Sequence, residues 1–288
     1  MNGGAYYGGS KVKLTLISKD KDVLFDGNYY ATSTASSATK YSDGIYIGEN
    51  SQLNLNAGEH NIIFNDKIQS KDSTAVININ AAGTWDDSEN SKPDGNYIPT
   101  WAPTTGTIEL NEDMNNAKGD LNIYGGTLKL GEDRTNTYSQ AVTPKFFKAR
   151  DLNFYGGTLN LQNQKIDDIP ITNLTGSVDS EGNALGNLKI DANLSTGAAD
   201  NFTISGTAAG KLNISGINIL ADGSAGSITV FKNEISPELE VLTTYTNKMK
   251  YIFTPSSTAG VLTVGSGDSA SNMYFGLASA LADTDALR

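Results

Sequence analysis

Two pairs of adjacent aspartates are the candidates for acid–base chemistry: Asp86 with Asp87, and Asp167 with Asp168. Enzymes that cleave polysaccharides place two carboxylates on one face, one as general acid and the other as base or nucleophile. Neighbouring side chains of an extended strand point to opposite faces, so either pair converges only in a turn. Neither pair has the arginine and lysine set that polarises a uronic acid. We therefore predict no catalytic residue and interpret both pairs as solvated turns, with a glycan-cleaving enzyme as the alternative.

His60 is the single histidine, and the chain contains no cysteine. A Ser-His-Asp site would have to use His60, which lies beside an apolar stretch where an outward polar residue is expected. One histidine cannot form a histidine-based metal cluster, and thiolate sites are excluded. The acidic residues 86–96 lack the ligand order and the closing glutamate of a calcium-binding loop. The sequence thus predicts no metal site and no cofactor.

Three aromatic residues, Trp85, Tyr97 and Trp101, are the predicted binding residues. They lie in residues 81–105, which contain three prolines and lack the apolar alternation of the rest of the chain. We interpret this segment as an inserted loop. Exposed aromatic side chains stack on sugar rings or anchor protein partners. The alternative is that these side chains fold back and cover the side or the end of the domain.

An internal repeat indicates the structural elements that position these candidate residues. Residues 120–130 read DLNIYGGTLKL, and residues 151–161 read DLNFYGGTLNL, so the two segments differ at only two positions. A second repeat relates Leu14 to Leu53 and Phe25 to Phe64, in each case 39 residues apart. Periods of 20 to 50 residues are typical of stacked repeat units. Leucine and isoleucine alternate with polar residues throughout, which predicts short strands with one buried face.

These observations predict an all-β parallel β-helix, a β-solenoid with short loop insertions. Consecutive coils would lie about 4.8 Å apart, with apolar ladders inside and Asn, Thr and Lys outside. The predicted β-helix spans residues 1–271 and includes the inserted loop 81–105. Helical signals are rare: residues 236–241 could form one turn, and residues 272–288 are a C-terminal tail or the start of a linker helix.

Composition and charge exclude several classes of partner. The formal net charge is −11 and there is no basic stripe, so we expect no nucleic acid partner. No apolar stretch approaches the roughly 18 residues that span a bilayer. The absence of cysteine fits export through an oxidising periplasm, although an ordinary cytosolic protein without cysteine has the same composition. Residues 1–30 contain no apolar leader and begin as if within a repeat, so we expect a fragment of a longer protein.

Several short motifs resemble those of autotransporter proteins. GGAY at residues 3–6 and FDGN at residues 25–28 resemble the GGAI and FxxN tetrapeptides of chlamydial-type polymorphic outer-membrane proteins, although Tyr6 replaces the usual isoleucine. In the second copy, DGIY and FNDK, the motif asparagine is missing. YGGTLKL and YGGTLNL resemble autotransporter-associated strand repeats. Residues 199–215 are similar to a stretch near the end of many autotransporter passengers.

The resemblance implies a type V secretion passenger domain with a right-handed single-stranded parallel β-helix of the pectate-lyase-like kind. It implies a location on the bacterial cell surface or outer membrane, or secretion, with membrane contact only through a barrel expected beyond Arg288. The function expected is that of an adhesin or structural stalk, without enzymatic activity. Its partner would be a host or neighbouring-cell surface protein or glycan, and the chain would be a monomer. The alternatives are a polysaccharide lyase or hydrolase on the same scaffold, and a phage or fibre protein that trimerises through its side.

Overall fold

The structure is a computed structural model that describes residues 6–7, 11–18, 20–27, 29–31, 40–42, 44–70, 73–81, 83–84, 100–101, 104–241, 245–246 and 251–266. In these residues the regular elements are all strands, and none is a helix of the length and apolar character that would cross a bilayer. The prediction of an all-β protein is therefore confirmed for this part of the chain. The predicted tail 272–288 lies outside the described residues.

The described strands are short and follow one another closely. The first ten are β1 (Tyr6–Tyr7), β2 (Lys13–Ile17), β3 (Val23–Phe25), β4 (Tyr29–Ala31), β5 (Lys40–Ser42), β6 (Ile45–Ile47), β7 (Gln52–Asn56), β8 (Asn61–Phe64), β9 (Ile68–Ser70) and β10 (Val76–Ile79). The next ten are β11 (Gly83–Thr84), β12 (Thr100–Trp101), β13 (Thr107–Leu110), β14 (Lys118–Ile123), β15 (Thr127–Leu130), β16 (Arg134–Thr135), β17 (Ala141–Val142), β18 (Lys148–Phe154), β19 (Thr158–Asn160) and β20 (Asp168–Ile171). The last ten are β21 (Asn173–Gly176), β22 (Gly186–Asn193), β23 (Ala198–Ala199), β24 (Asn201–Ile204), β25 (Ala208–Ala221), β26 (Ser227–Thr229), β27 (Glu238–Glu240), β28 (Tyr245–Thr246), β29 (Tyr251–Pro255) and β30 (Val261–Ser266).

A sheet of 16 strands contains just over half of the 30 described strands, and all but β23 pair in parallel within it. The chain supplies two series of strands alternately. The first series runs β2, β7, β10, β14, β18 and β21, and the second runs β3, β8, β13, β15, β19 and β22. The long strand β25 pairs with the last member of both series. Smaller parallel pairings, β1–β6–β9 and β20–β24, form further rows between successive units.

The pairing register confirms both repeats seen in the sequence. Leu14 lies opposite Leu53, and Phe25 lies opposite Phe64 with the two rings stacked at 4.6 Å. In the shorter repeat, Leu128 lies opposite Leu159, as the near-identical segments predict. Equivalent residues of consecutive units are therefore hydrogen-bonded neighbours in the sheet.

Inward side chains form the core because polar and apolar residues alternate along each strand. In β15, Leu128 and Leu130 are fully buried while Lys129 between them is 37% exposed. Burying a leucine side chain contributes about 1.5–3 kcal/mol, and the contribution recurs in each layer. The core extends from Ile45 to Leu262 as one continuous cluster.

A short hairpin formed by β16 and β17 ties separate layers together. The Arg134 guanidinium donates to the carbonyls of Asn65 and Asn111, each at 3.4 Å. Near the tip of the hairpin, the Thr137 hydroxyl donates to the Asp26 carboxylate at 2.9 Å. The Thr137–Asp26 contact joins residues 111 apart in sequence, so the hairpin connects layers along the side of the stacked strands.

The C-terminal region departs from the sequence prediction. The helical turn predicted for residues 236–241 is wrong, because Glu238–Glu240 forms strand β27 and places Leu239 opposite Leu212. One turn of helix is only marginally stable, whereas an extended segment continues an existing apolar column. The strands β26, β30 and β29 then form an antiparallel sheet in which Phe253 and Leu262 are buried.

Candidate functional site

The predicted binding loop is described only at its base. Trp85 and Tyr97 lie outside the described residues. Trp101 belongs to β12, whose backbone pairs antiparallel with β11 so that Trp101 lies opposite Gly83. The insertion therefore begins and ends in a short two-stranded ladder. The assignment of these three aromatic residues to binding stays a prediction.

The aspartate pairs do not produce facing carboxylates in the described part of the chain. Asp86 and Asp87 lie outside it. The exposed Asp168 carboxylate accepts hydrogen bonds from Lys232 at 2.7 Å and from the Thr203 hydroxyl at 3.0 Å. The Asp167 carboxylate instead accepts from the Asn163 amide at 2.7 Å. Adjacent in sequence, the two carboxylates bind different partners, and within the described residues no group of three or more acidic, histidine or cysteine side chains is arranged to hold a metal.

His60 lies at the turn between β7 and β8, and its backbone is committed to the fold. Its N–H donates to the carbonyl of Ala57 at 2.9 Å, and its carbonyl accepts the N–H of Thr107 at 3.0 Å. Hydrogen bonds from the backbone and side chain of Asn61 lower the pKa of Asp22, with a smaller contribution from the charge of His60. His60 is thus part of a polar turn.

Sequence reasoning missed a set of buried carboxylates. Asp200 and Asp191 are fully buried, and Asp167 is half-buried beside them. One oxygen of Asp200 accepts the N–H of Asp167, and the other accepts the N–H of Asp191, both at 2.7 Å. Burial raises the pKa of Asp200 to about 8 because loss of water destabilises the charged form more than these two bonds restore. No local sequence signal identifies this position, because the donors that Asp200 binds belong to Asp167 and Asp191.

Asp191 completes the same network. Its oxygens accept the backbone N–H of Asn163 at 2.8 Å and the side-chain amide of Asn218 at 2.5 Å. Burial raises the pKa of Asp191 above its usual range, although these hydrogen bonds oppose the shift. The carboxylates of Asp191 and Asp200 satisfy backbone donors that would otherwise be buried without partners. Their oxygens are occupied, so the arrangement stabilises turns and offers no ligand position.

The outer face of the first strand series has an asparagine ladder, which we define as Asn54, Asn78, Asn122 and Asn153. These residues lie at one register position in β7, β10, β14 and β18. Each side-chain NH2 donates to the carbonyl oxygen of the preceding ladder residue, at 2.8 to 2.9 Å. The first member, Asn54, donates to the hydroxyl of Thr15 at 3.0 Å. All the amides therefore point in the same direction along the stack.

Two tyrosines adjoin the ladder. Tyr124 and Tyr155 directly follow β14 and β18, and their rings stack with centroids 4.7 Å apart and planes 15° from parallel. Partial burial, together with the neighbouring Tyr155, raises the pKa of Tyr124. Tyr155 remains 46% exposed. The near-identical repeats produce this stack because they bring the same residue type to the same position in consecutive layers.

The tyrosines lie beside the base of the inserted loop. Tyr124 donates its backbone N–H to the carbonyl of Ile79, which places it next to Asn80, where the insertion leaves the sheet. The Asn80 amide donates to the carbonyls of Gly106 at 2.9 Å and Gly125 at 3.1 Å. Asn80 thereby connects the end of the loop to the turn after Tyr124. Asn54 and Asn78 are buried, so we take the half-buried end of the ladder, Asn122 and Asn153, with the tyrosines and the loop base as the candidate binding surface.

Comparison with known proteins assigns the chain to no family. No protein-family model matches the sequence, and no curated protein and no solved structure matches it at a significant level.

Proposed function

We propose that this chain is a right-handed single-stranded parallel β-helix passenger domain, on the bacterial surface or secreted. It acts as an adhesin or as a structural stalk that displays binding loops. The observation that carries this proposal is the in-register parallel stacking of two strand series supplied alternately by the chain. Such stacking is the expected consequence of a chain that coils around one apolar axis.

The mechanism is structural. The seven layers of the first strand series, counting β25, would extend roughly 30 Å at about 4.8 Å per layer. Each layer needs only a few inward apolar residues, so its turns tolerate insertions without loss of the core. Residues 81–105 leave from such a turn and return at β13, next to the stacked tyrosines. We assign recognition to this loop, with Trp85, Tyr97 and Trp101 as its contact residues.

Deletion of the loop tests the proposal. Residues 85–99 would be replaced by a short glycine-serine turn between β11 and β12, and the chain screened against a glycan array and immobilised extracellular proteins. We expect the deletion to abolish at least one of the interactions found for the full chain without lowering the free energy of unfolding. Leu24→Ala, at an exposed apolar residue of β3, is the control and should bind normally. If every interaction survives the deletion, the recognition role of the loop is wrong.

The export class has a separate test. The gene beyond Arg288 should encode an outer-membrane barrel if the chain is an autotransporter passenger. A different type of domain at that position would contradict the class while leaving the fold unaffected. The rival enzymatic function would be favoured by release of reducing ends from a pectin-like polymer.

A further inference from the structure

We propose that Asn153 and Tyr155 form a binding site for a neutral glycan. A sugar ring stacks on Tyr155, and a sugar hydroxyl donates a hydrogen bond to the Asn153 side-chain oxygen. The inference deepens the proposed function and rests on it, since it names a ligand class and a second contact region beside the inserted loop.

Tyr155 provides the stacking platform. One region of its ring is covered by Tyr124, which holds the ring in a fixed orientation, and 46% of the residue stays exposed. The next two residues are Gly156 and Gly157, so no side chain borders the ring on that side. An exposed, pre-oriented aromatic ring offers a π surface to the C–H groups of a sugar at low entropic cost.

Asn153 provides the polar contact because it ends the asparagine ladder. Its NH2 group donates to Asn122 at 2.9 Å. The residue at the next register position is Thr175, not asparagine, and none of the described residues donates to the Asn153 oxygen. The ladder therefore terminates in an acceptor whose direction is fixed by the amides beneath it. A ligand hydroxyl that approaches from solvent, beside the exposed Thr175, can donate to this oxygen.

The two groups share a face. Tyr155 lies at the bend that directly follows β18, and its N–H still donates to the carbonyl of Ile123 in the preceding layer at 2.8 Å. Phe154 between them is buried, so Asn153 and Tyr155 both point outward. Positions two residues apart in a strand are separated by roughly 7 Å, which allows one or two sugar units to contact both side chains.

The surroundings favour an uncharged ligand. Arg150 is engaged by the carboxylates of Asp120 at 2.6 Å and Asp151 at 3.4 Å, so the neighbouring cation is already paired. The net charge of −11 repels acidic polymers. On the other side, Ser177 takes the register position beyond Tyr155, and its neighbour Val178 is 43% exposed. This border presents a serine hydroxyl and an apolar side chain, which suits a neutral sugar.

Titration of the full chain with soluble oligosaccharides tests the site. The probes are the hexasaccharides of glucose, mannose, galactose and N-acetylglucosamine, with hexagalacturonate as the acidic comparison, measured by calorimetry and by saturation-transfer NMR. We expect at least one neutral hexasaccharide to bind and the acidic one to bind more weakly. Tyr155→Ala should weaken binding about tenfold, Asn153→Ala several-fold, and Tyr155→Phe less than twofold. Leu24→Ala, at a residue 47% exposed, is matched in exposure and should not change it.

Three results would overturn the proposal. These are the absence of neutral hexasaccharide binding at millimolar concentration, tighter binding of hexagalacturonate, and equal affinities of the full chain and Tyr155→Ala. The deletion of residues 85–99 separates this site from the loop, because it leaves Asn153 and Tyr155 in place. If the deletion variant no longer binds the hexasaccharide while Tyr155→Ala still does, the glycan binds to the loop and the tyrosine site is rejected. Loss in Tyr155→Ala alone supports the tyrosine site whatever the fate of the loop assignment.

Discussion

The Asp200 carboxylate accepts the backbone N–H of Asp191 at 2.7 Å, and neither residue is exposed to solvent. The negative charge of Asp191, and that of Asp167 nearby, adds to the effect of burial on Asp200. Lys165, whose charge favours the ionised form of Asp167, pairs with Asp133 and the carbonyl of Pro144. Three carboxyl groups therefore occupy a poorly solvated turn region, and the nearby cation, Lys165, already has other partners. This arrangement should make the free energy of unfolding depend on pH.

Folding should become less favourable as the pH rises from about 4 to about 8. The pKa of Asp200 is raised from 3.8 to about 8 in the folded chain, so the folded state holds a proton that the unfolded state has lost. Below pH 4 both states are protonated and no penalty exists. Above pH 8 both are ionised, and the full penalty is of the order of several kcal/mol, at about 1.4 kcal/mol per pH unit of pKa difference. Urea denaturation between pH 4 and pH 9 measures this slope.

The variant Asp200→Asn tests whether Asp200 causes the decrease in stability between pH 4 and pH 8. The asparagine side chain cannot ionise, so the decrease in stability attributed to Asp200 should disappear. The variant should nevertheless be less stable at pH 5, because one backbone N–H that bound a carboxylate oxygen then faces an amide NH2 group. Asp168→Asn controls for the loss of one carboxylate, because Asp168 lies on the exposed face of the adjoining strand. If the slope persists unchanged in Asp200→Asn, burial of this residue is not its cause.

Substitutions in β15 test the distinction between inner and outer positions. Leu128→Asp should lower the free energy of unfolding by roughly 4–5 kcal/mol, because Leu128 is fully buried and lies in register with Leu159. Lys129→Ala removes only a surface ion pair with Glu109 and should change it by less than about 1 kcal/mol. Equal effects at the two positions, measured in urea, would refute the assignment of faces.

The stacked columns were predictable from the sequence because they depend on local pattern. Alternation decides which side of a strand is apolar, and repetition decides which residues become neighbours. Leu128 with Leu159 and Phe25 with Phe64 follow from these two rules, and the structure confirms both pairs.

The buried carboxylates and the end of the stack could not be predicted in this way. The burial of Asp200 depends on backbone donors at Asp167 and Asp191, which neither local polarity nor repetition places beside it. Glu238–Glu240 forms a strand because it pairs with β25. Since β25 lies much earlier in the sequence, the residues around 238–240 alone do not indicate this pairing. The repeat places Tyr155 beside Tyr124, but neither repetition nor alternation indicates that Tyr155 remains 46% exposed.

The asparagine ladder should contribute to stability cooperatively. Asn122→Ala removes the acceptor used by Asn153 and the donor used by Asn78, so we expect a loss of about 1–3 kcal/mol for two hydrogen bonds. In a double-mutant cycle with Asn153→Ala, the two losses should sum to more than the loss in the double variant, by at least about 0.5 kcal/mol. Pairing Asn122→Ala with the distant Leu24→Ala provides the control and should give additive effects. Additivity for Asn122 and Asn153 would mean that the amides act independently.

Substitution of two glycines with similar φ angles distinguishes backbone strain from close packing between layers. Gly157 and Gly182 have φ of +71° and +87°, a region that costs a residue with a side chain about 1–2 kcal/mol. A Cβ at Gly182 would meet no atom within 4 Å, so Gly182→Ala should lose only this amount. A Cβ at Gly157 would lie 2.8 Å from the carbonyl carbon and oxygen of Gly125 in the preceding layer, so Gly157→Ala must also push two layers apart. We expect it to lose at least about 2 kcal/mol more than Gly182→Ala in urea denaturation. Losses of the same size would show that backbone strain alone explains the glycine of the repeated YGGT segment.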